Sequence, residues 1–589
     1  MALIIAEKPS VARKITQFLS KGEFRYYTYK RKVRYYSFTL NNETFYVVSA
    51  LGHLYTLSDK NSGWRYPTFS YRWVPAYIED KITAKKYYIE LIKKFKNENY
   101  IIVATDYDIE GELIGYNILR FALGRKNSYR MIFSAITPKD ILRAFYNKSS
   151  TISLNFAIAG ETRHIIDWLY GINLSRALTH AIRHYLKRVT LSIGRVQGPT
   201  LKLIFEREIE IRNFIPEEYY VLYINAKKEN NIIKFKHIRD KFKSKEEASG
   251  VKKKIGSYLT VKSIKTIEEK LMPPHPYNLT DLQTDAYKFY KITPKQTLEI
   301  AQRLYENGYI SYPRTSSQKL PETIDFRYII NNLKKVLSYR IFSILLLRKS
   351  TLKPNNGKKY DIHPAIHPTG IIPKSLSKRE WLIYDLVARR FLATFMDHAV
   401  IEKMYVTTEE DFYYDYKKVR YKGWMLVYWL WLKNEFKDIE FNIGERLPVI
   451  KIQMQKRKTR PPARYNPASL VRKMEEIKIG TKTTRAEIVQ TLYKRNYIKG
   501  RSIKITELGE KIIEIFDKYL PDILDIILTR KLEENIEKIE KGNLNLKTKV
   551  IEETIEIVKN TCSKVKQRER ELGRELYNVY KKLKEENIS

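Results

Sequence analysis

The 589-residue chain contains one cysteine, Cys562. A lone thiol excludes an internal disulfide and any cysteine-based zinc site, and it fits a reducing compartment. Long hydrophobic runs are also missing. The greasiest stretch, GWMLVYWLWL (423–432), is too short to span a bilayer and reads as a buried strand. Only ALIIA is apolar ahead of the charged Glu7 and Lys8, so no secretion signal is read there. A soluble, cytoplasmic protein is expected. Acids are in deficit: 66 Asp and Glu stand against 109 Lys and Arg, a formal charge of +43.

Such an imbalance opposes a compact fold through self-repulsion, and a polyanion is its natural acceptor. The 45 tyrosines, 23 phenylalanines and 7 tryptophans supply faces on which unpaired bases stack. Basic residues are spread along the chain rather than gathered on one amphipathic helix, which argues against a membrane surface. At 43% hydrophobic and 30% charged the chain is globular. Its length suggests about four domains.

Residues 1–148 read as α/β, because ALIIAE and NYIIVATDYD are short buried strands that each open into a helix. Functional groups in such folds gather at strand C-termini, where Glu7, Asp106 and Asp108 fall. Residues 149–215 read as helical with a basic face. Alternating strands are expected within 216–278 and 401–458, helices within 279–400, and basic helices within 459–589, with a Lys/Glu-rich tail expected to fray. Two helical stretches repeat. EIAQRLYENGYI (299–310) and EIVQTLYKRNYI (487–498) share seven of twelve positions, each after threonine-rich capping residues. Both read as the second helix of a helix-turn-helix leading into a wing strand.

The segment TDYDIEGELIG (105–115) holds Asp106, Asp108, Glu110 and Glu112 within seven residues. Hard oxygens after a strand suit Mg²⁺, which keeps several waters and takes one or two carboxylates plus substrate phosphate. D-x-D-x-E-G also matches the start of an EF-hand loop, but its twelfth position is Asn117 and the segment follows a strand, so that reading is rejected. Glu7 either closes the metal site or exchanges a proton with a leaving sugar hydroxyl, and Lys8 neutralises phosphate. The basic stretch from Lys456 to Lys473 carries seven Lys and Arg and no acid, and is expected to grip a nucleic-acid backbone.

The acidic cluster with its upstream glutamate resembles the Toprim domain of type IA DNA topoisomerases, bacterial-type primases and some nucleases. Further segments single out the topoisomerases. SIGRVQGPTLKLI (192–204), PPHPYNLTDLQTDA (273–286), GYISYPRTSS (308–317), HPAIHPT (363–369) and the segment 460–489 resemble type IA motifs in family order, from residue 3 to about 510. The resemblance implies a toroidal, multidomain fold, α/β plus mainly α: a Toprim domain (1–148), domain IV in two parts (149–215, 459–589), a β-rich arch domain II in two parts (216–278, 401–458) and domain III with the active-site tyrosine (279–400), including two winged-helix-like modules.

It further implies that Tyr312 attacks a DNA phosphodiester and stays on the 5′ phosphate. A phenol titrates near ~10 and needs neighbours that favour its anion; Arg314, two residues on, can hold a phosphate oxygen bidentately. By the same resemblance His363 assists near the scissile phosphate, and Arg163, Asp167, Arg195, Gln197 and His53 line the DNA path. Thr484 and Arg485 open a helix that receives a phosphate. Glu7, Asp106, Asp108 and Glu110 are the implied Mg²⁺ ligands, for one or two ions. The implied reaction is ATP-independent transesterification, relaxing negatively supercoiled DNA through single-strand passage by a monomer in the cytoplasm, at the nucleoid, with a helicase or single-strand-binding partner expected. No G-x-x-x-x-G-K-[ST] loop is present, so the helicase-fused type is excluded. The cysteine clusters of many relatives' zinc-ribbon tails are missing, and no zinc is expected. His367 stands where many relatives carry Arg, and Gly198 where Ser is usual, which bears on fine DNA preference. Two rival classes are a Mg²⁺-dependent Toprim nuclease or primase, which has no need of Tyr–Pro–Arg, and a passive single-strand binder, which has no need of clustered acids. The Lys/Glu/Ile/Tyr-rich make-up is compatible with heat.

Overall fold

A computed structural model describes residues 1–61, 63–428 and 439–586. Eight strands fall among the first 150 described residues: β1 (Ala2–Ala6), β2 (Arg25–Tyr29), β3 (Val33–Leu40), β4 (Glu43–Ser49), β5 (Tyr55–Asp59), β6 (Tyr71–Pro75), β7 (Tyr100–Ala104) and β8 (Tyr129–Arg130). Six form one sheet ordered β2-β3-β4-β1-β7-β8, while β5 and β6 pair with each other. The central strands β4, β1, β7 and β8 run parallel. β1 is buried along its whole length, as a strand covered on both faces must be. Ala6 lies opposite Ala104, so the residues that follow β1 and β7 emerge side by side.

The strand-rich segments close into one antiparallel barrel. β9 (Glu218–Lys228), β10 (Asn231–His237), β11 (Tyr258–Leu271), β12 (Ala399–Thr408), β13 (Phe412–Tyr421) and β14 (Arg446–Lys458) are ordered β10-β13-β12-β11-β14-β9. Phe235, Phe242 and Phe412 fill its centre. The helices between β11 and β12 therefore hang from the barrel by two connections. Their core is continuous with one face of the N-terminal sheet, where Ile4, Phe45 and Ile102 join Leu304, Tyr305 and Tyr312. A separate core gathers the long helix Leu154–Arg183 with the helices Ile526–Glu540, Leu546–Gln567 and Glu569–Glu586. Among the described residues, no helix is long and apolar enough to cross a membrane.

Three expectations are corrected. GWMLVYWLWL does not begin as a strand: Gly423–Leu426 is a 3₁₀ turn, and residues 429–432 lie outside the described residues. Gly423 has φ +47°, and a Cβ there would sit 2.3 Å from the His398 carbonyl oxygen. The turn drives Trp424 and Tyr428 inward, where Trp424 Nε1 donates to the Leu271 carbonyl (3.0 Å) and Tyr428 OH to Asp285 (2.7 Å). The tail does not simply fray. Glu569–Glu586 is a helix with Leu572 and Leu576 buried, and Gly573 lets it approach the Ala181 carbonyl more closely than any Cβ allows. The wing is present once. The helix Arg485–Lys494 leads into the hairpin β15 (Ile498–Lys499) and β16 (Lys504–Ile505), whereas after Pro294–Glu306 Ile310 makes only a single bridge, to Pro368. There the chain runs into the N-terminal domain instead, with Tyr312 N donating to the Ser134 carbonyl (2.8 Å).

Among the described residues four ion pairs join the Tyr312-bearing segment to the C-terminal part of the chain: Asp361–Lys482, Glu475–Lys359 (2.9 Å), Asp281–Arg472 (3.2 Å) and Lys295–Glu487 (2.6 Å). Asp361 is the most heavily used. Its carboxylate also accepts from Ser316 N (2.8 Å), Ser316 Oγ (2.9 Å) and Ile362 N (2.8 Å), fastening the chain after Tyr312 to the chain before His363. Burial opposes its charge, but Lys482 and the Ser316 bonds outweigh this and hold its pKa below the usual range. A depressed carboxylate stabilises above its unfolded pKa of ~3.9, and that contribution is lost as pH falls through the lower folded value. Asp361→Asn is expected to lower stability at neutral pH by on the order of 1.5–3 kcal/mol, the scale of hydrogen bonds to a charged group. It should also flatten the acid limb of the profile. Calorimetric melting of both proteins from neutral pH down to pH about 3 checks this, and identical profiles would refute it.

Candidate active site

Glu7 follows β1 and Asp106 and Asp108 follow β7, so strand pairing alone brings the three acids together. Asp106 N donates to Glu7 Oε2 (3.2 Å). Asp108 caps the helix Ile109–Ile118, its Oδ1 accepting from Glu110 N (3.1 Å) and Gly111 N (2.8 Å). Gly111 is required, because a Cβ there would lie 2.0 Å from the Asp106 carbonyl oxygen. That carbonyl and its neighbour are pinned from beneath by the fully buried Arg130, which donates to Asp106 O (3.0 Å) and Thr105 O (2.8 Å) and pairs with Glu112 (2.8 Å). Glu112 thus holds the scaffold rather than a ligand position.

Burial raises the pKa of Glu7, and Asp108 adds to it; Asp106 is raised well above its usual range by burial and by Glu7. Glu110 is drawn elsewhere. It accepts from His53 Nε2 (3.0 Å) and Arg163 Nη1 (3.2 Å), which overcome its burial and pull it to about 2. Among the described residues no three His, Cys, Asp or Glu form a closed metal cage.

Tyr312 is 1% exposed, and its hydroxyl donates to Asp108 Oδ2 (2.6 Å). Burial, followed by the charges of Asp108 and Asp106, pushes the phenol well above its usual pKa, against the pull of Arg314. Arg314 feels Tyr312, Asp108, Glu7 and Asp106, and its buried Nε has no hydrogen-bond partner among the described residues. The Tyr312 ring lies 4.4 Å from His363 and 5.2 Å from Tyr305, whose hydroxyl donates to Asp106 Oδ1 (3.1 Å). His363 is held by Ser134 Oγ at Nδ1 (2.8 Å) and the Tyr107 carbonyl at Nε2 (2.8 Å). A carbonyl only accepts, so Nε2 carries the proton and Nδ1 accepts from Ser134; burial, then Lys482, pushes the imidazole down to about 4.

Lys8 is half-buried and paired. Its Nζ lies 2.5 Å from Glu306 Oε1, and Ser10 Oγ donates to Oε2 of the same carboxylate (3.0 Å). Glu306 was not foreseen, although the repeat marks it: the equivalent residue of the second copy is Lys494. The expected DNA-path residues form a charge chain. His53, Glu110 and Arg163 continue through Asp167 (3.6 Å) to Arg195, which also pairs with Glu533 (2.9 Å), a residue the sequence did not single out. Gln197 accepts from Arg495. Thr484 precedes the helix Arg485–Lys494 without capping it, and Arg485 Nε donates to the Ile479 carbonyl (3.1 Å). The two departures have structural reasons. His367 is a buried residue, its Nδ1 donating to the Ala365 carbonyl (2.8 Å), and a Cβ on Gly198 would lie 2.9 Å from the Ile523 carbonyl oxygen.

Comparison with known proteins agrees with this geometry. A DNA topoisomerase family model matches residues 151–551 and a Toprim domain model residues 2–136. DNA topoisomerase 1 of Pyrococcus horikoshii is 45% identical over 98% of this chain and 86% of its own length. The Methanocaldococcus jannaschii protein of the same name is 41% identical over 97% and 75%. The solved structure of full-length topoisomerase I from Thermotoga maritima superposes with a TM-score of 0.73 at 25% identity, covering 95% of this chain and 90% of that one. With the acid cluster and the buried tyrosine meeting inside that shared toroidal architecture, the chain belongs to the type IA DNA topoisomerase family.

Proposed function

We propose that Tyr312 is the nucleophile by which this isomerase cleaves and reseals one DNA strand. The carrying observation is the 2.6 Å contact between the Tyr312 hydroxyl and Asp108, inside a pocket that also holds Glu7, Asp106 and Arg314. The phenol oxygen bonds to phosphorus as the bond from phosphorus to the 3′ oxygen breaks. The phenolic proton passes to Asp108, and Glu7, whose raised pKa suits a proton donor, protonates the leaving oxygen. Arg314 holds the phosphate, and Lys8 joins it on leaving Glu306. Resealing is the reverse, and the phosphotyrosine conserves the bond, so ATP has no role. His363, neutral and held at both nitrogens, keeps the Tyr312 ring in place.

A Toprim domain implies a divalent metal, and the donor set fits Mg²⁺. Asp106 and Asp108, with Glu7 beside them, are buried carboxylates whose mutual repulsion a cation relieves, and Mg²⁺ needs only one or two of them beside water and phosphate. When bound, such an ion polarises the phosphate and aligns the 3′ hydroxyl. Glu110 in its present orientation serves Arg163 and His53. DNA is the substrate; single-stranded or underwound DNA, a monomeric enzyme without zinc, a nucleoid location and the six-segment division of the chain complete the reading. The Toprim nuclease alternative gives the buried Tyr312 no work to do.

The basic stretch is partly neutralised by the fold. Lys456 and Lys458 pair with Glu218, Arg464 with Glu208, Arg472 with Asp281 and Lys473 with Glu476. Arg457 and Arg460 remain, lining a cleft of about 1070 Å³ beside Lys241 and Tyr219. These two are the proposed phosphate contacts.

Three outcomes are expected. Tyr312→Phe should lose all relaxation of supercoiled plasmid while binding single-stranded DNA as the wild type does, and Asp106→Ala with Asp108→Ala should also abolish relaxation; activity in either variant overturns the assignment. Replacing Arg457 and Arg460 by Gln should reduce the slope of log affinity against log salt by about 1.4, at roughly 0.7 per phosphate on single strands. An unchanged slope would make both residues solvated surface.

A further inference from the structure

The helix Leu337–Leu347 reads LSYRIFSILLL and is apolar around most of its circumference. A helix of that kind belongs in a core. One side obeys: Tyr339, Ser343 and Leu346 are buried, and Tyr339 OH donates to Asp385 (2.8 Å). The other side has no cover. Leu337 is 78% exposed, Ile341 63%, Leu345 42% and Ile344 38%. Their i, i+4, i+7, i+8 spacing sets all four on one stripe, and contiguous exposed aliphatics mark an interaction site where scattered ones do not.

The surroundings specify what would cover it. From Phe326 through Tyr360 the chain has nine Lys and Arg and no Asp or Glu. Several are occupied: Arg327 donates to the Leu347, Lys349 and Ser350 carbonyls, and Lys349 pairs with Asp397 (2.8 Å). Arg340 and Arg348 are exposed and make no ion pair among the described residues. At 100° per residue Arg348 falls on the stripe itself, and Arg340 falls on its edge.

We propose that this stripe docks an acidic amphipathic helix of a partner protein, whose aliphatic face packs on Leu337, Ile341, Ile344 and Leu345 and whose carboxylates meet Arg340 and Arg348. A second copy of this chain is disfavoured, because a two-fold contact through the stripe brings the same arginines face to face. Nucleic acid gains nothing from leucine and isoleucine, and the stripe offers no ring for a base to stack on. The helix packs chiefly on Phe326–Leu333 and Lys378–Ala393, neither of which carries Tyr312 or the acids. A bound partner would ride on the tyrosine-bearing domain without entering the cleft. The inference is independent of the catalytic assignment.

The test uses the full chain and a fluorescein-labelled synthetic peptide with leucines at i, i+3, i+4 and i+7 and glutamates between them. Anisotropy should report saturable binding that weakens as salt is raised. Leu337→Ser with Ile341→Ser, and separately Arg340→Gln with Arg348→Gln, should each weaken it on the order of tenfold or more. Both variants should melt and relax plasmid like the wild type, since neither pair touches the cleft. The same peptide with lysines for glutamates should not bind. Absence of binding to the wild type, equal binding by the variants, or equal binding of the lysine peptide overturns the proposal. So does sedimentation that reveals a dimer dissolved by Leu337→Ser, or capture on anionic vesicles lost in the same variant, because either names a different occupant.

Discussion

The hydrogen bond from the Tyr312 hydroxyl to Asp108 lies in a seam between two parts of the chain that Tyr305 on Asp106, Glu306 on Lys8 and His363 on Ser134 also cross. The acids belong to the parallel sheet, and the tyrosine to helices suspended from the barrel. Their meeting buries the phenol and raises its pKa. Tyr305 on Asp106 and Glu306 on Lys8 repeat the arrangement, each group of the domain bearing Tyr312 satisfying one that the proposed chemistry uses. A phosphate entering the cleft can take over Lys8 and Arg314, and a cation can take over the carboxylates. In the proposed mechanism these are the contacts that substrate and metal replace.

The charge distribution follows the same logic. In a chain of formal charge +43, the arginines of the expected DNA path near the acid cluster are not exposed freely. Arg163 and Arg195, nearly buried, are held by Glu110, Asp167 and Glu533. Unpaired burial of a guanidinium is strongly unfavourable, whereas a paired one is pre-oriented and can exchange its carboxylate for phosphate. Acids are few, and many stand where a cation must be kept in position.

How much of this was legible depended on whether sequence-local geometry decided the matter. The acid cluster stood out through its strand ends, and Tyr312 only through the type IA motifs around it, since one tyrosine among 45 would otherwise read as core; the repeat located the second helix-turn-helix. Glu306, Asp361, Lys482 and Glu533 were not, since each acts through a partner far along the chain: 298 residues separate Lys8 from Glu306. Glu110 and Glu112 read as members of one cluster, yet helical rotation carries one to His53 and the other to Arg130. GWML failed as a strand because a positive-φ glycine turned it inward, a conformation that composition does not disclose. The ion pairs of the basic run 456–473 were hidden for the same reason, because Glu208, Glu218 and Asp281 lie elsewhere in the sequence.

The central claim is that the tyrosine itself carries the broken strand. Incubating the protein with single-stranded DNA and Mg²⁺, denaturing rapidly, digesting with protease and nuclease and mapping the modified peptide by mass spectrometry tests it directly. The account predicts a nucleotide linked through its 5′ phosphate to Tyr312, on the peptide spanning residues 308–317. A free 5′ phosphate with no adduct, or an adduct on another residue, would contradict it.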